Sequence, residues 1–535
     1  MKEAQIILIA AALGVSALQS GAFASDFKRE ILPVLEKHCF GCHDDTAEGG
    51  VNLEALSKDG AFWREPKTWE KTLNAVRDAS MPPAKKAQPK PDERALVSAW
   101  IAATLANPDP AQVPSDVGRK PLHRLSRLEY NNTVRDLLGV DSHPADRFPP
   151  DGGGGGGFDN NAATLFVPPI LMEKYLVAAS EIVAAAKPDL IFHVRPSEQK
   201  DAMMAARENI AWLASRAFRR PVAGDEIGGL LALFADLTKQ GAKWEEAMRG
   251  CVRAVLVSPS FLFRVEQDRP GLVPQPVSDW ELATRLSYFI WSSMPDEELS
   301  AIAREGTLAE PATFDMQVRR MLADPKARIL AENFTSQWLR TRELRTSVRP
   351  PGDNLPDFSP ALREAMAREP IVFFDALLHE NRPLTECLDA DYAHVNAELA
   401  KFYGLGEISG DGFQRVALTD RSRGGVVTMA GVLTLTSYPR RSSPVLRGKW
   451  IMEEILGTPP PPAPPMIKSL PTSDKGRNGL TFRQQLEVHR SRAECASCHK
   501  TMDQLGFGLE NFSPVGSWRT TVAGLPVDAS GELPD

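Results

Sequence analysis

A chain of 535 residues has room for three or four domains of ordinary size, with cores that need no disulfide staples. Hydrophobic residues make up 43% and charged residues 24%, a globular composition that excludes a disordered chain and a multi-span transporter. The net charge of -7 excludes a broad basic surface for nucleic acid, and six cysteines are too few for a disulfide scaffold.

Residues 1–24 read as a secretory signal peptide. Lys2 gives a positive start beside Glu3, Ile6 to Leu18 is almost wholly apolar, and Ala22-Phe23-Ala24 has the small-x-small form of a cleavage site. The apolar run is too short to cross about 30 Å of hydrocarbon comfortably, and no later stretch has 18 uninterrupted apolar residues. The expectation is export to the periplasm or cell envelope, with no integral membrane span in the mature chain.

Residues 25–106 read as one compact helical unit, followed by a Pro-rich linker over 107–121. Helical patterns dominate from 122 to about 455. Boundaries are expected near 190, 270 and 408, giving helical domains over 122–190, 191–270 and 271–408. Ser126-Arg-Leu-Glu129 and Ser278-Asp-Trp-Glu281 are capping boxes ahead of apolar periods, and Gly139 closes the first of these helices. Six glycines, 152–157, read as a mobile loop or a calcium loop; no Gly-Lys-Ser/Thr follows that would make a phosphate loop. Ser359-Pro360 opens a helix that Pro370 should kink or end before Phe373. Short β-like stretches stand around 426–436, without βαβ alternation. A basic and Pro-rich segment, 409–479, includes the polyproline strut 459–465 and leads into a last unit, 480–535. The fold class is therefore mainly α and multi-domain: a small N-terminal helical domain, a large helical region and a C-terminal segment.

Cys39-x-x-Cys42-His43 and Cys495-x-x-Cys498-His499 carry the chemistry. Cys-x-x-Cys-His is the attachment pattern of c-type haem. Two cysteines one helical turn apart can each form a thioether to a vinyl group, and the adjacent histidine sits under the iron. A zinc site wants four ligands, and no second Cys-x-x-Cys lies near either copy. A thioredoxin pair wants a βαβ context, which is absent. Two covalent haems c are thus expected, with His43 and His499 as proximal ligands. Met81, on a loop stiffened by Pro82 and Pro83, is the expected sixth ligand of the first iron, and His38 is a neighbour, not a ligand. Met502 falls on the proximal side of the second haem. His489 reads as a surface or packing residue, so the second distal ligand stays open: a residue of the central region, a residue beyond 535, or an open iron.

Arg440, Arg441, Arg447 and Lys449 either hold haem propionates or an anionic substrate, or form a solvated basic face. Arg216, Arg219 and Arg220 read as a charged helix end. Lys85, Lys86 and Lys90 either steer an acidic redox partner to the first haem or serve solubility. Cys251 reads as a small buried side chain and Cys387 as a loop residue, with a disulfide between them left open.

The chain resembles the planctomycete-type cytochrome c proteins. The matching stretches run from Leu35 through His43, Met81-Pro-Pro83 and Leu122 through Asn132 to Arg216–Pro221, Ala283–Trp291 and Asn333–Leu339. They continue with Leu435–Pro439, Ser443–Trp450 and Cys495 through Phe512. The resemblance implies haem binding, electron transfer and an envelope location, and no established substrate. The six-glycine run departs from the pattern, and the family's last domain runs on past the equivalent of residue 535. Three functions follow as expectations: a periplasmic relay with a redox partner protein, a peroxidase- or oxidase-like haem enzyme, or a binding protein for a glycan or other small-molecule ligand.

Overall fold

The computed structural model describes residues 27–58, 62–107, 121–152, 157–267, 275–346, 358–410, 412–420, 422–460, 481, 483–484, 486–487 and 493–532. The expected signal peptide, nearly all of the 107–121 linker, Gly153 to Gly156, most of the proline strut and His489 lie outside them. Helices dominate, and the named strands form four separate two-stranded antiparallel ribbons, so the described chain is mainly α. It divides into two units: residues 1–120 with 267–276, and residues 121–266 with 277–535.

In the first unit, helix α1 (Leu32–His38) follows a wide turn over Phe27–Ile31 and ends at Cys39. Helices α2 (Pro66–Arg77) and α3 (Pro91–Ala106) each begin at a proline, whose missing N–H is not needed in a first turn. Ile31, Leu35, Leu73, Val76, Val97 and Ile101 close the core around Trp69, which stacks on Phe62 at 4.8 Å.

The second unit opens with ribbon β1 (His123–Arg124), paired antiparallel with β2 (Phe263–Arg264). Helix α4 (Arg127–Leu138) starts at the Ser126–Glu129 capping box and ends at Gly139, which takes φ 71°. It shares one core with α5 (Pro169–Ala185), α6 (Ala202–Phe218), α7 (Gly224–Lys239) and α8 (Trp244–Val257). Arg216, Arg219 and Arg220 stand at the end of α6, as expected, and are engaged there. Arg219 is left-handed at φ 58° and buried, and its guanidinium donates to the carbonyls of Ser260, Phe261 and Phe263 at 2.8, 3.0 and 2.7 Å. Arg216 lies over the Trp212 ring and Arg220 pairs with Glu226. Cys251 donates to the Leu230 carbonyl in this core, whereas Cys387 packs in another cluster; both thiols are free.

Helix α9 (Asp279–Trp291) begins at the second capping box and packs with α10 (Glu297–Glu305) and α11 (Pro311–Ala323). Helix α12 (Pro360–His379) continues past Pro370, which does not end it. The carbonyl that Pro370 leaves without an N–H belongs to Met366, and Gly431 packs onto it: a Cβ at 431 would lie 2.6 Å from that oxygen. Ribbon β3 (Tyr392–Val395) and β4 (Gln414–Ala417) flanks α13 (Ala397–Tyr403). Residues 426–436 are not strands. A 3₁₀ turn over Val426–Thr428 leads into α14 (Ala430–Leu435), in which residues 430–434 are all buried. A helix buried on every side shows no period in its sequence, so β-branched content misleads there. Ribbon β5 (Ser437–Tyr438) and β6 (Arg441–Ser442) then turns into α15 (Pro444–Trp450), and α16 spans Ala493–Phe507.

Candidate functional site

In the first unit, the chain leaving α1 coils tightly. The Cys39 N–H donates to the Leu35 carbonyl at 2.8 Å, and the N–H groups of Cys42 and His43 donate to the Cys39 carbonyl at 3.2 and 3.1 Å. Cys39, Cys42 and His43 line one cavity of about 360 Å³, together with Leu35, Val51, Leu53, Val76 and Val97 and with Met81 and Pro82. That volume is in the range of cofactor pockets. The His43 ring bonds the Val51 carbonyl through Nδ1 at 3.1 Å, which leaves iron ligation to Nε2. His38 bonds the Ala87 carbonyl through Nδ1 at 3.1 Å.

The Met81 loop is held by its own backbone. Its N–H donates to the Ala75 carbonyl at 3.0 Å, and its carbonyl accepts from Arg94 Nη1 at 2.9 Å. Arg94 also donates to the Val76 carbonyl at 2.7 Å and to Gln88 Oε1 at 3.0 Å. Gln88 in turn donates to the carbonyls of Pro82 and Lys86, both at 3.1 Å. Of the three lysines named beside this loop, Lys86 lines the cavity. Burial pushes the Cys39 thiol up to about 11, and a hydrogen bond with Glu48 raises that of Cys42. A redox-active Cys-x-x-Cys needs a thiol that ionises easily, so these two are poor exchange thiols. A largely apolar pocket lined by two cysteines, a histidine whose Nδ1 is engaged and a methionine fits a covalently held haem.

In the second unit, Cys495, Cys498 and His499 lie on one helix, α16. His499 Nδ1 meets Asp503 Oδ1 at 2.9 Å, one turn further on, and the Asp503 side chain is wholly buried. A histidine whose Nδ1 is engaged by a carboxylate is a common metal-ligand arrangement, so this donor set also fits haem. Helix α15 crosses α16 at the closest range that backbones permit. A Cβ on Gly448 would stand 1.7 Å from the Met502 carbonyl oxygen, and one on Gly506 would stand 1.9 Å from that of Pro444.

The basic cluster expected to bind propionates or face solvent does neither at its centre. Arg447 is fully buried and donates to the carbonyls of Leu509, Phe512 and Ser513 at 2.6, 3.0 and 2.8 Å, with Glu510 at 3.3 Å. Burial brings it down to about 10, still a cation at neutral pH. Arg441 is buried as well, and Lys449 pairs with Glu453 on the surface. Arg447 therefore bolts the segment after α16 to α15.

Four families, each described as a protein of unknown function, match the chain. They are PSD3 (DUF1587) over 123–187, PSD5 (DUF1595) over 205–266, PSD4 (DUF1592) over 277–405 and PSCyt3 (DUF1588) over 423–522. Together they cover well over half of the chain, and they are the domains of planctomycete cytochromes c. The chain belongs to the planctomycete-type cytochrome c family. In this cytochrome c-type chain the PSCyt3 match encloses α15, all of α16 and the Arg447 acceptors. No curated protein and no solved structure matches the chain. No helix among the described residues is long and apolar enough to cross a membrane.

Sequence reasoning missed Asp503, Arg94 and Gln88. Asp503 had a readable signal, because residues four apart on a helix are neighbours. Arg94 and Gln88 had none, since their acceptors are backbone carbonyls fixed only by the fold.

Proposed function

We propose that the chain is an exported c-type cytochrome holding two covalent haems and passing electrons between periplasmic redox partners. The first haem is carried by Cys39, Cys42 and His43 with Met81 as sixth ligand, and the second by Cys495, Cys498 and His499. The observation that carries this reading is the cavity in the first unit, where both cysteines, His43 and Met81 line one apolar space. Haem supplies one-electron chemistry there; the protein supplies two thioether anchors, an imidazole oriented by the Val51 carbonyl and a thioether on a braced loop.

The test is the mass of the exported protein matured with c-type haem. Wild type should carry the mass of two haems. Cys39→Ala/Cys42→Ala and Cys495→Ala/Cys498→Ala should each carry one, and Met81→Ala should keep two while the first loses its methionine-to-iron charge-transfer band. Unchanged mass in either double variant removes that site from the proposal.

A further inference from the structure

The two histidines differ in what holds them. His43 is bonded to a neutral acceptor, the Val51 carbonyl, at 3.1 Å. His499 is bonded to a carboxylate, Asp503, at 2.9 Å. The difference is built into the backbone. His499 sits inside a continuous helix, so the residue four positions on stacks beside it. Four positions after His43 stands Ala47, left-handed at φ 48° and outside any α-helix. The second carboxylate oxygen of Asp503, Oδ2, is buried and makes no hydrogen bond. An anion taken out of water with one oxygen unmatched is costly unless a positive charge lies near. The fold fixes that anion firmly: Met502, the residue before it, has its carbonyl pressed against Gly448.

We propose that Asp503 is the positioning residue of the second haem, holding His499 as a strong donor and setting that haem at a lower reduction potential than the first. This rests on the assignment of Cys495, Cys498 and His499 to a haem. An imidazole that donates Nδ1–H to a buried carboxylate carries more electron density at Nε2 than one donating to a carbonyl. Greater donation favours ferric over ferrous iron, and low surrounding dielectric leaves the carboxylate charge poorly screened. The N-terminal haem, with a carbonyl-bonded histidine and Met81 as its proposed sixth ligand, belongs at the high end. The second haem is then the more reducing centre of the chain.

The experiment is potentiometric titration of the full mature protein, after its mass has shown how many haems it carries. A mass of one haem, unchanged in Cys495→Ala/Cys498→Ala, removes the haem assignment itself and with it this proposal. With two haems present, Asp503→Asn should raise the lower potential and leave the upper one in place, and Asp503→Glu should restore most of the shift. An unshifted lower potential in a two-haem Asp503→Asn protein overturns the proposal. Should Asp503→Asn fail to mature, Cys495→Ala/Cys498→Ala decides. Loss of the lower-potential wave supports the proposal, and loss of the upper one overturns it.

Discussion

Glu369 shows how much a single side chain's surroundings set its behaviour. It is wholly buried on α12 and accepts from the Tyr403 hydroxyl at 2.6 Å. Burial pushes its carboxyl up to about 7, against the opposing pulls of the Tyr403 hydrogen bond and the Arg423 guanidinium. A group whose folded value is raised contributes stability in full below its unfolded value, near 4.5, and loses it as pH climbs to about 7. The loss is at most about 3 kcal/mol, since each unit is worth about 1.4 kcal/mol. His394 runs the other way: burial and Arg415 bring it down to about 4, so its contribution fades as pH falls below about 6.5. Between about pH 4.5 and 6.5 the two slopes oppose each other, so wild type should melt at a nearly constant temperature there, and Glu369→Gln should melt at a temperature that rises from pH 5 to about 6.5. An unaltered profile in that variant would show that Glu369 is ionised in the folded protein.

At the scale of elements, packing through glycine decides where helices run. Gly448 and Gly506 let α15 and α16 meet backbone to backbone, and what a Cβ would strike is main-chain oxygen, which has no rotamer to yield. Gly448→Ala should cost more than the roughly 1–3 kcal/mol of ordinary overpacking. Hydrogen exchange should show residues 493–532 losing protection while α4 to α8 keep theirs. Gly228 on α7 is the control, with open space where its Cβ would stand. Gly228→Ala should stabilise by about 0.5–1 kcal/mol through helix propensity alone. Equal melting temperatures for the two variants would refute the close crossing. Local signals in the sequence were reliable at this scale: the capping boxes at Ser126 and Ser278, the cap at Ser359 and the stop at Gly139 all stand where they read. What failed depended on distant partners. Pro370 does not end its helix, and the carbonyl it orphans lies against Gly431, 61 residues away, a neighbour that only the fold supplies. Arg447 read as either an anion-binding or a solvated cation, and only the fold brings Leu509, Phe512 and Ser513 to it.

For the molecule as a whole, the first unit has a core of its own, from Ile31 to Ile101, and its cavity is lined entirely by residues 34–97. A fragment of residues 25–120 should accordingly mature with one haem and melt cooperatively. A fragment that takes up no haem would show that this core depends on the rest of the chain. The two Cys-x-x-Cys-His motifs, proposed above as haem sites, can be picked out in the sequence because each lies within five consecutive residues. The cavity walls and the acceptors that orient each histidine cannot, since they come from separate elements. The braced Met81 loop has a kinetic consequence. Arg94, Gln88 and the Ala75 carbonyl already fix its backbone through contacts that do not involve the sulfur. Under the proposed ligation, a sulfur carried on such a loop would shift little when an electron arrives or leaves. The activation barrier to exchange would then stay low, which gives the proposed relay a fast end.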